Sequence, residues 1–212
     1  MIVVDIEASG AFDPLKYGIW QIGATELENP SNTFLEEARI DNADQIHEGA
    51  LKVCGITEEE LRDKTKQSQK QLLENFFSWV EKIENKILVA HNTPFDYSYL
   101  ILRAQKYGLD FPFGYRSVDL HVIAFQKYLE LNKKPPIENG KSIFNLRKVI
   151  EFCGMQDPRI SLNDLEVVKE GSPHNALEDA KLEAECMSRI LYGKGLLKEF
   201  EQFPIPNALK SA

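Results

Sequence analysis

Three cysteines, Cys54, Cys153 and Cys186, are too few and too scattered for a disulfide framework, and none sits at a zinc-ligand spacing. Such poverty suits a reducing compartment. No apolar run approaches the length of a membrane span. The N-terminus lacks the basic, apolar and small-residue succession of a signal peptide and enters a β-branched run at once. These absences give the expectation of a cytoplasmic protein without membrane contact. No Gly-x-Gly-x-x-Gly follows the first apolar run, which sets aside a dinucleotide-binding dehydrogenase. Repeats and low-complexity segments are also missing. Positive charge is short: 25 Lys and Arg against 33 Asp and Glu leave a net charge of −8. A nucleic-acid partner would therefore have to be met by local basic patches or metal ions, not by an overall basic field.

Apolar residues are plentiful. At 43% of 212 residues they suffice for one substantial core without covalent staples. Met1 to Ile6 reads as a buried strand, Gly18 to Leu27 as a second, and Thr33-Phe34-Leu35 as a third, together an antiparallel meander. Ala38 to Asp63 is mixed, with a capping box from Thr57 to Glu60 before Leu61. Ser68 to Glu84 has the three- and four-residue apolar rhythm of an amphipathic helix. Lys86 to Ala90 is a short buried strand. A helix over Phe95 to Tyr107 follows, with Thr93 as its cap and Pro94 at its first position. Tyr115 to Leu120 suggests a fifth strand, then a helix to about Glu130. Asn132 to Gly140 reads as a loop, Ser142 to Cys153 as a helix, and Ala176 to Leu191 as a last long helix. Strands first, then strands alternating with helices, predict an α/β domain with a mixed sheet over residues 1–195. Residues 196–212 are expected as a surface or loosely docked tail.

Three acidic clusters carry the chemistry. Asp5 and Glu7 stand two apart on the first strand, so their carboxylates share a face. Close carboxylates repel unless a cation lies between them, and oxygen donors suit Mg²⁺ or Mn²⁺. A solvated strand end is the bland alternative, against which two acids interrupting an apolar strand stand out. His91-Asn92-Thr93-Pro94-Phe95-Asp96 follows a strand and opens a helix, where ligands bind in α/β sheets; Asp96 there also complements the helix dipole. His174-Asn175-Ala176-Leu177-Glu178-Asp179 opens the last helix, with Asn175 and Glu178 equally readable as a helix start.

In this order, D-x-E, H-N-x-x-F-D and H-x-x-x-x-D resemble the DEDDh family of 3′–5′ exonucleases over roughly Met1 to Leu191. Gly55-Ile56-Thr57 followed by acidic residues and Leu61 adds to the likeness. The resemblance implies a ribonuclease H-like mixed five-stranded sheet, strands 1–3 antiparallel and strands 4 and 5 parallel, flanked by helices. It also implies that Asp5, Glu7, Asp96 and Asp179 hold two Mg²⁺ or Mn²⁺ ions. Asp5 would be shared by both, and Glu7 and Asp179 would serve the ion nearer the attacking water. His174 would be the general base, an imidazole being suited to proton transfer near neutral pH. Ala8, Ser9 and Gly10 would seat a free 3′-hydroxyl, with Asn92 near sugar or phosphate. The implied partner is single-stranded DNA or RNA, cut to nucleoside 5′-monophosphates, with a polymerase or a second copy as a further partner. A catalytically silent end-binding or polymerase accessory domain is the alternative, and loss of an acidic ligand would be its signature. A third reading is an enzyme acting on small phosphate esters. The family's usual Thr-Gly after the first motif is replaced by Ala8-Ser9-Gly10, and Asn132 to Asp164 is long.

Lys127 to Lys148 holds six basic side chains against two acidic ones, a stretch that follows a phosphate backbone or merely forms a solvated surface. Trp20, Phe95 and Tyr97 are candidates for stacking a base or for the core, and Trp79 for packing.

Overall fold

A computed structural model describes residues 1–163 and 165–210. Strands β1 (Ile2–Ala8), β2 (Ile19–Glu26) and β3 (Asn29–Glu37) form the antiparallel meander. Strands β4 (Leu88–Ala90) and β5 (Val118–Asp119) extend it in parallel from the β1 edge, giving the order β3-β2-β1-β4-β5. This is the expected mixed sheet.

Side-chain alternation along β1 divides the molecule. Ile2, Val4, Ile6 and Ala8 enter one apolar cluster, and Val3 enters another. Between β3 and the next helix the chain forms the short α1 (Glu48–Cys54) and α2 (Glu58–Leu61), the latter opened by the expected capping box. Helices α3 (Gln69–Val80) and α4 (Pro94–Tyr107) cover the first cluster with Leu72, Phe76, Leu100 and Ala104. The second cluster is built by α5 (Leu120–Asn132), α6 (Leu146–Phe152) and α7 (Ala176–Tyr192). Each fully buried aliphatic side chain in these layers contributes about 1.5–3 kcal/mol. Trp20 is core, packed with Ile40 and Leu61, and Trp79 stacks on Phe76 and donates to Asn32 Oδ1 at 3.0 Å.

Several boundaries differ from expectation. The segment read as a loop holds a hairpin, β6 (Ile137–Glu138) and β7 (Lys141–Ser142), turned by Asn139 and Gly140, both at positive φ. That is the residue pair a two-residue turn demands. Helix α6 starts four residues after Ser142 because Asn145 caps it, accepting from the Lys148 N–H at 3.0 Å. Thr93 does stand at the N-cap position of α4, but with helical backbone angles and no side-chain cap bond, because its hydroxyl donates instead to the Ala90 and Val118 carbonyls. Asp119 takes over that work. Its carboxylate accepts from the N–H groups of Asn92 and Thr93 before α4 and from His121 and Val122 at the start of α5. A second hairpin, β8 (Ser161–Asn163) and β9 (Glu166–Lys169), precedes α7.

Residues 196–209 are packed rather than loose. Leu209 is buried, and Phe200, Phe203 and Ile205 press on the second cluster. The cause lies inside α7, where Glu185 and Arg189 form a fully buried pair. Glu185 accepts from the Leu196 and Leu197 N–H groups, and Arg189 donates to the carbonyls of Cys153 and Phe200. Among the described residues no helix is long and apolar enough to cross a membrane.

Candidate active site

Strand β4 pairs with β1 only at Ile2 and Val3, so the second half of β1 has an open edge. Asp96, in the first turn of α4, fills it: its Oδ1 accepts from the Ile6 N–H at 3.2 Å. Beside this gap Asp5 and Glu7 project from the face opposite Ile6, toward α7. Helix α7 comes unusually close, because Gly23, the β2 partner of Asp5, has no side chain. A Cβ there would stand 2.1 Å from the backbone of Ala176 and Leu177. Gln21 Oε1 accepts from the Ala176 N–H at 2.7 Å and Asn175 caps the helix. Asp179 and Glu183, one turn apart, are thereby buried against β1.

His174 is fixed at both ends. Its backbone N–H donates to Val53 O at 2.9 Å. Ring Nε2 lies 3.2 Å from the Ile160 carbonyl, an acceptor only, so Nε2 carries the proton. Nδ1 faces Asp179 Oδ2 at 3.5 Å. One ligand atom each from Glu7, His174 and Asp179 lie within 4.8 Å of one another.

These groups line a cavity of about 500 Å³ together with Asp5, Ala8, Gly10, Glu183 and Arg159. A second cavity of about 470 Å³ shares Asp5, His91 and Phe95 with the first and adds Asn92, Asp96, His121 and Ser142. Asp5 thus borders both spaces. Asn92 holds a left-handed φ of 63°, which asparagine tolerates better than most residues. Ser9 turns inward: its hydroxyl donates to Gln45 O and accepts from the Gly18 N–H. Phe95 borders both cavities, whereas Tyr97 packs edge-on against Phe111. Arg147 and Lys148 of the basic stretch are paired with Glu151, while Lys133, Lys134 and Lys141 are exposed.

Burial lifts Asp5, Glu7, Asp96, Asp179 and Glu183 alike, and repulsion from neighbouring carboxylates adds most to the shifts of Asp5, Glu7 and Glu183. Asp5 is pushed well above the usual range by burial and by the charges of Asp179, Glu7, Asp96 and Glu183. Burial and Asp179 push Glu7 from 4.5 to about 8, against the Cys54 thiol, which donates to it at 3.2 Å, and Arg159. Asp96 and Glu183 are raised well above the ordinary range, burial leading in each. Asp179 is raised by burial, with Arg159 and His174 opposing. Burial brings His91 down to about 4, and its Nε2–H donates to Phe144 O at 3.1 Å. Asp179 Oδ1 is buried with no hydrogen-bond partner. A cluster of buried carboxylates with an orphaned oxygen and one imidazole fits hard divalent cations of the Mg²⁺ or Mn²⁺ kind.

The sequence reading missed Glu183, whose Oε2 accepts from the His91 N–H at 3.0 Å and so ties α7 to the turn before α4. It also missed Arg159 and Asp157. The signal for Glu183 was its four-residue spacing from Asp179; nothing local marked the other two.

Residues 2–187 match the family described as exonuclease, of RNase T type. Over 191 residues, 90% of this chain, it is 28% identical to the PolC-type DNA polymerase III of Thermotoga petrophila, and equally to that of Thermotoga maritima. The chain spans 12% of the length of those polymerases. In fold it is similar to the nuclease domain of 3'hExo, a DEDDh family member bound to rAMP, with a TM-score of 0.62 and 18% identity over 97% of this chain and 95% of that one. The E. coli ExoI–ssDNA complex in its zinc-bound form gives a TM-score of 0.62 and 14% identity over 95% of this chain and 40% of that one. With its ribonuclease H-like sheet and a family match over almost its whole length, this chain belongs to the exonuclease family of RNase T type.

Proposed function

We propose that the chain is a metal-dependent 3′–5′ exonuclease that hydrolyses the terminal phosphodiester bond of single-stranded DNA or RNA and releases nucleoside 5′-monophosphates. The observation that carries this reading is the convergence of Asp5, Glu7, Asp96 and Asp179 from three separate elements on two cavities that share Asp5, with an Asp179 oxygen buried and unpartnered.

In this reading Asp5, Glu7, Asp96 and Asp179 hold two Mg²⁺ or Mn²⁺ ions. When bound, the ions supply positive charge to the phosphate oxygens and lower the pKa of water. His174 takes the proton of the attacking water at Nδ1, the ring nitrogen left free by the bond to Ile160 O. The leaving 3′-oxygen takes a proton and becomes the new end of the strand, and the phosphate stays on the released nucleotide. Ala8 and Gly10 line the cavity beside Glu7 and seat the terminal sugar; Ser9 supports them through its bonds to Gln45 and Gly18. Asn92, in the second cavity, meets the strand on the far side of Asp5. Similarity to a segment of PolC-type polymerases supports a DNA end as one substrate and a polymerase as a partner. The catalytic unit is residues 1–195, with the described part of the tail, residues 196–210, as its support.

The test is a product ladder. Single-stranded DNA, single-stranded RNA and a recessed duplex, labelled at the 5′ end, are incubated with Mg²⁺, Mn²⁺ or chelator. Stepwise shortening of single strands with metal, none with chelator, and a fall of about 10²–10⁴ in rate for His174→Ala are expected. Binding of 3′ ends without shortening of any strand would replace this reading with the silent end-binding domain.

A further inference from the structure

The exonuclease reading leaves Arg159 without a task. It is the only Lys or Arg among the described residues that line the larger cavity, and it is 8% exposed. Three of its bonds go to one carboxylate: its Nε and Nη2 donate to Asp157 at 2.9 and 3.1 Å, and its backbone N–H donates there at 3.0 Å. The Lys169 ammonium binds the Asp157 carbonyl and steadies this clamp. One donor alone enters the site, Nη1, which donates to Asp179 Oδ2 at 3.0 Å. That is the oxygen His174 also faces.

A guanidinium does not shed its charge in a protein, so it competes with any cation for Asp179 by position alone. Burial works against the charge, but Asp157 and Asp179 outweigh it and raise the Arg159 pKa further. A divalent ion beside Asp179 repels Nη1, and the Asp157 clamp keeps the rest of the group in place. The freed donor then lies in a cleft whose other charged side chains are acidic. A phosphate oxygen entering that cleft meets no other Lys or Arg among the described lining residues, and the guanidinium fork matches phosphate geometry.

We propose that Arg159 is a phosphate-binding residue kept on Asp179 until the metal ions load: Nη1 holds the carboxylate in the metal-free protein and passes to a phosphate oxygen of the bound nucleotide afterwards. This inference rests on the exonuclease reading.

Two titrations test it on the full chain. In the first, Mn²⁺ binding without nucleic acid is followed by electron paramagnetic resonance of the free ion. Arg159→Gln removes the competing cation and is expected to bind Mn²⁺ about tenfold more tightly than the unaltered protein. In the second, AMP and adenosine are titrated at saturating Mn²⁺. Arg159→Gln is expected to lose about tenfold in AMP affinity and nothing in adenosine affinity. Arg159→Lys keeps the charge without the fork: it should hold the original Mn²⁺ affinity and still bind AMP more weakly. It serves if the glutamine variant fails to fold. Unchanged AMP affinity in the variants, or weaker Mn²⁺ binding in Arg159→Gln, would make Arg159 a brace for Asp179 and overturn the inference while strand shortening persists. A protein that binds no Mn²⁺ and shortens no strand would remove the exonuclease reading and this inference together.

Discussion

Asp5 sits in the repulsive field of four other carboxylates, and that arrangement favours cation binding over stability. Replacing it by asparagine keeps the shape and removes a charge. The metal-free Asp5→Asn protein is expected to be about 1–2 kcal/mol more stable at pH 8, while strand shortening falls to background. Thermal melting and the product ladder measure the two sides, and a variant both active and no more stable would refute the assignment. At this scale the D-x-E pair was legible because strand alternation alone puts both acids on one face. Glu183 was not, since a glutamate four residues after Asp179 looks like an ordinary solvated helix residue until β1 buries it. Arg159 was illegible for a different reason: Asp179, its partner in the site, lies twenty residues away, and only the β8–β9 excursion brings the two together. Asp119 read as part of a strand, yet the end of β5 is where both helix starts come within its reach.

The elements that position the site depend on one close approach. At Gly23 even a methyl group meets the backbone of α7, which has no flexible side chain to yield. Gly23→Ala is therefore expected to push the start of α7 off the sheet. The cost should be about 1–3 kcal/mol in stability, with a larger proportional loss of turnover because Asp179 moves with the helix. Denaturant melts and rates measured side by side check this; full activity in the variant would show that α7 has slack. The long helices and the meander were readable from periodicity, since their apolar positions repeat over many residues. The β6–β7 hairpin was harder. Its Asn-Gly turn was in plain view, but two-residue strands are too short to show alternation and both are exposed. The choice between Ser142 and Asn145 as the start of α6 fell to the residue whose amide oxygen reaches Lys148 N–H, while the Ser142 hydroxyl accepts from the Phe144 N–H and meets His121 Nε2.

For the whole molecule, the raised carboxyl pKa values make metal-free stability depend on pH with a definite sign. Between 4.5 and about 8 the folded protein keeps a proton on Glu7 that the unfolded chain has released. The folded state then binds more protons than the unfolded, so this contribution is complete below 4.5 and is lost as pH rises through about 8. Asp5, Asp96 and Glu183, raised as well, act in the same direction. The melting temperature of the chelated protein is expected to fall across this window, and Mg²⁺ or Mn²⁺ to flatten the fall. A melting temperature indifferent to both pH and metal would deny that these groups share one field.

The ion pair of Glu185 and Arg189 joins the two ends of this picture. It sits on the helix that carries Asp179, and it reaches out to the backbone at 196, 197 and 200. A chain cut after Gly195 would leave charged groups in its interior missing three backbone partners, at a cost of about 3 kcal/mol or more. Such a shortened protein should melt earlier and cleave more slowly, although the cut lies outside the catalytic cleft. Chemistry at one end of α7 is anchored by ballast at the other.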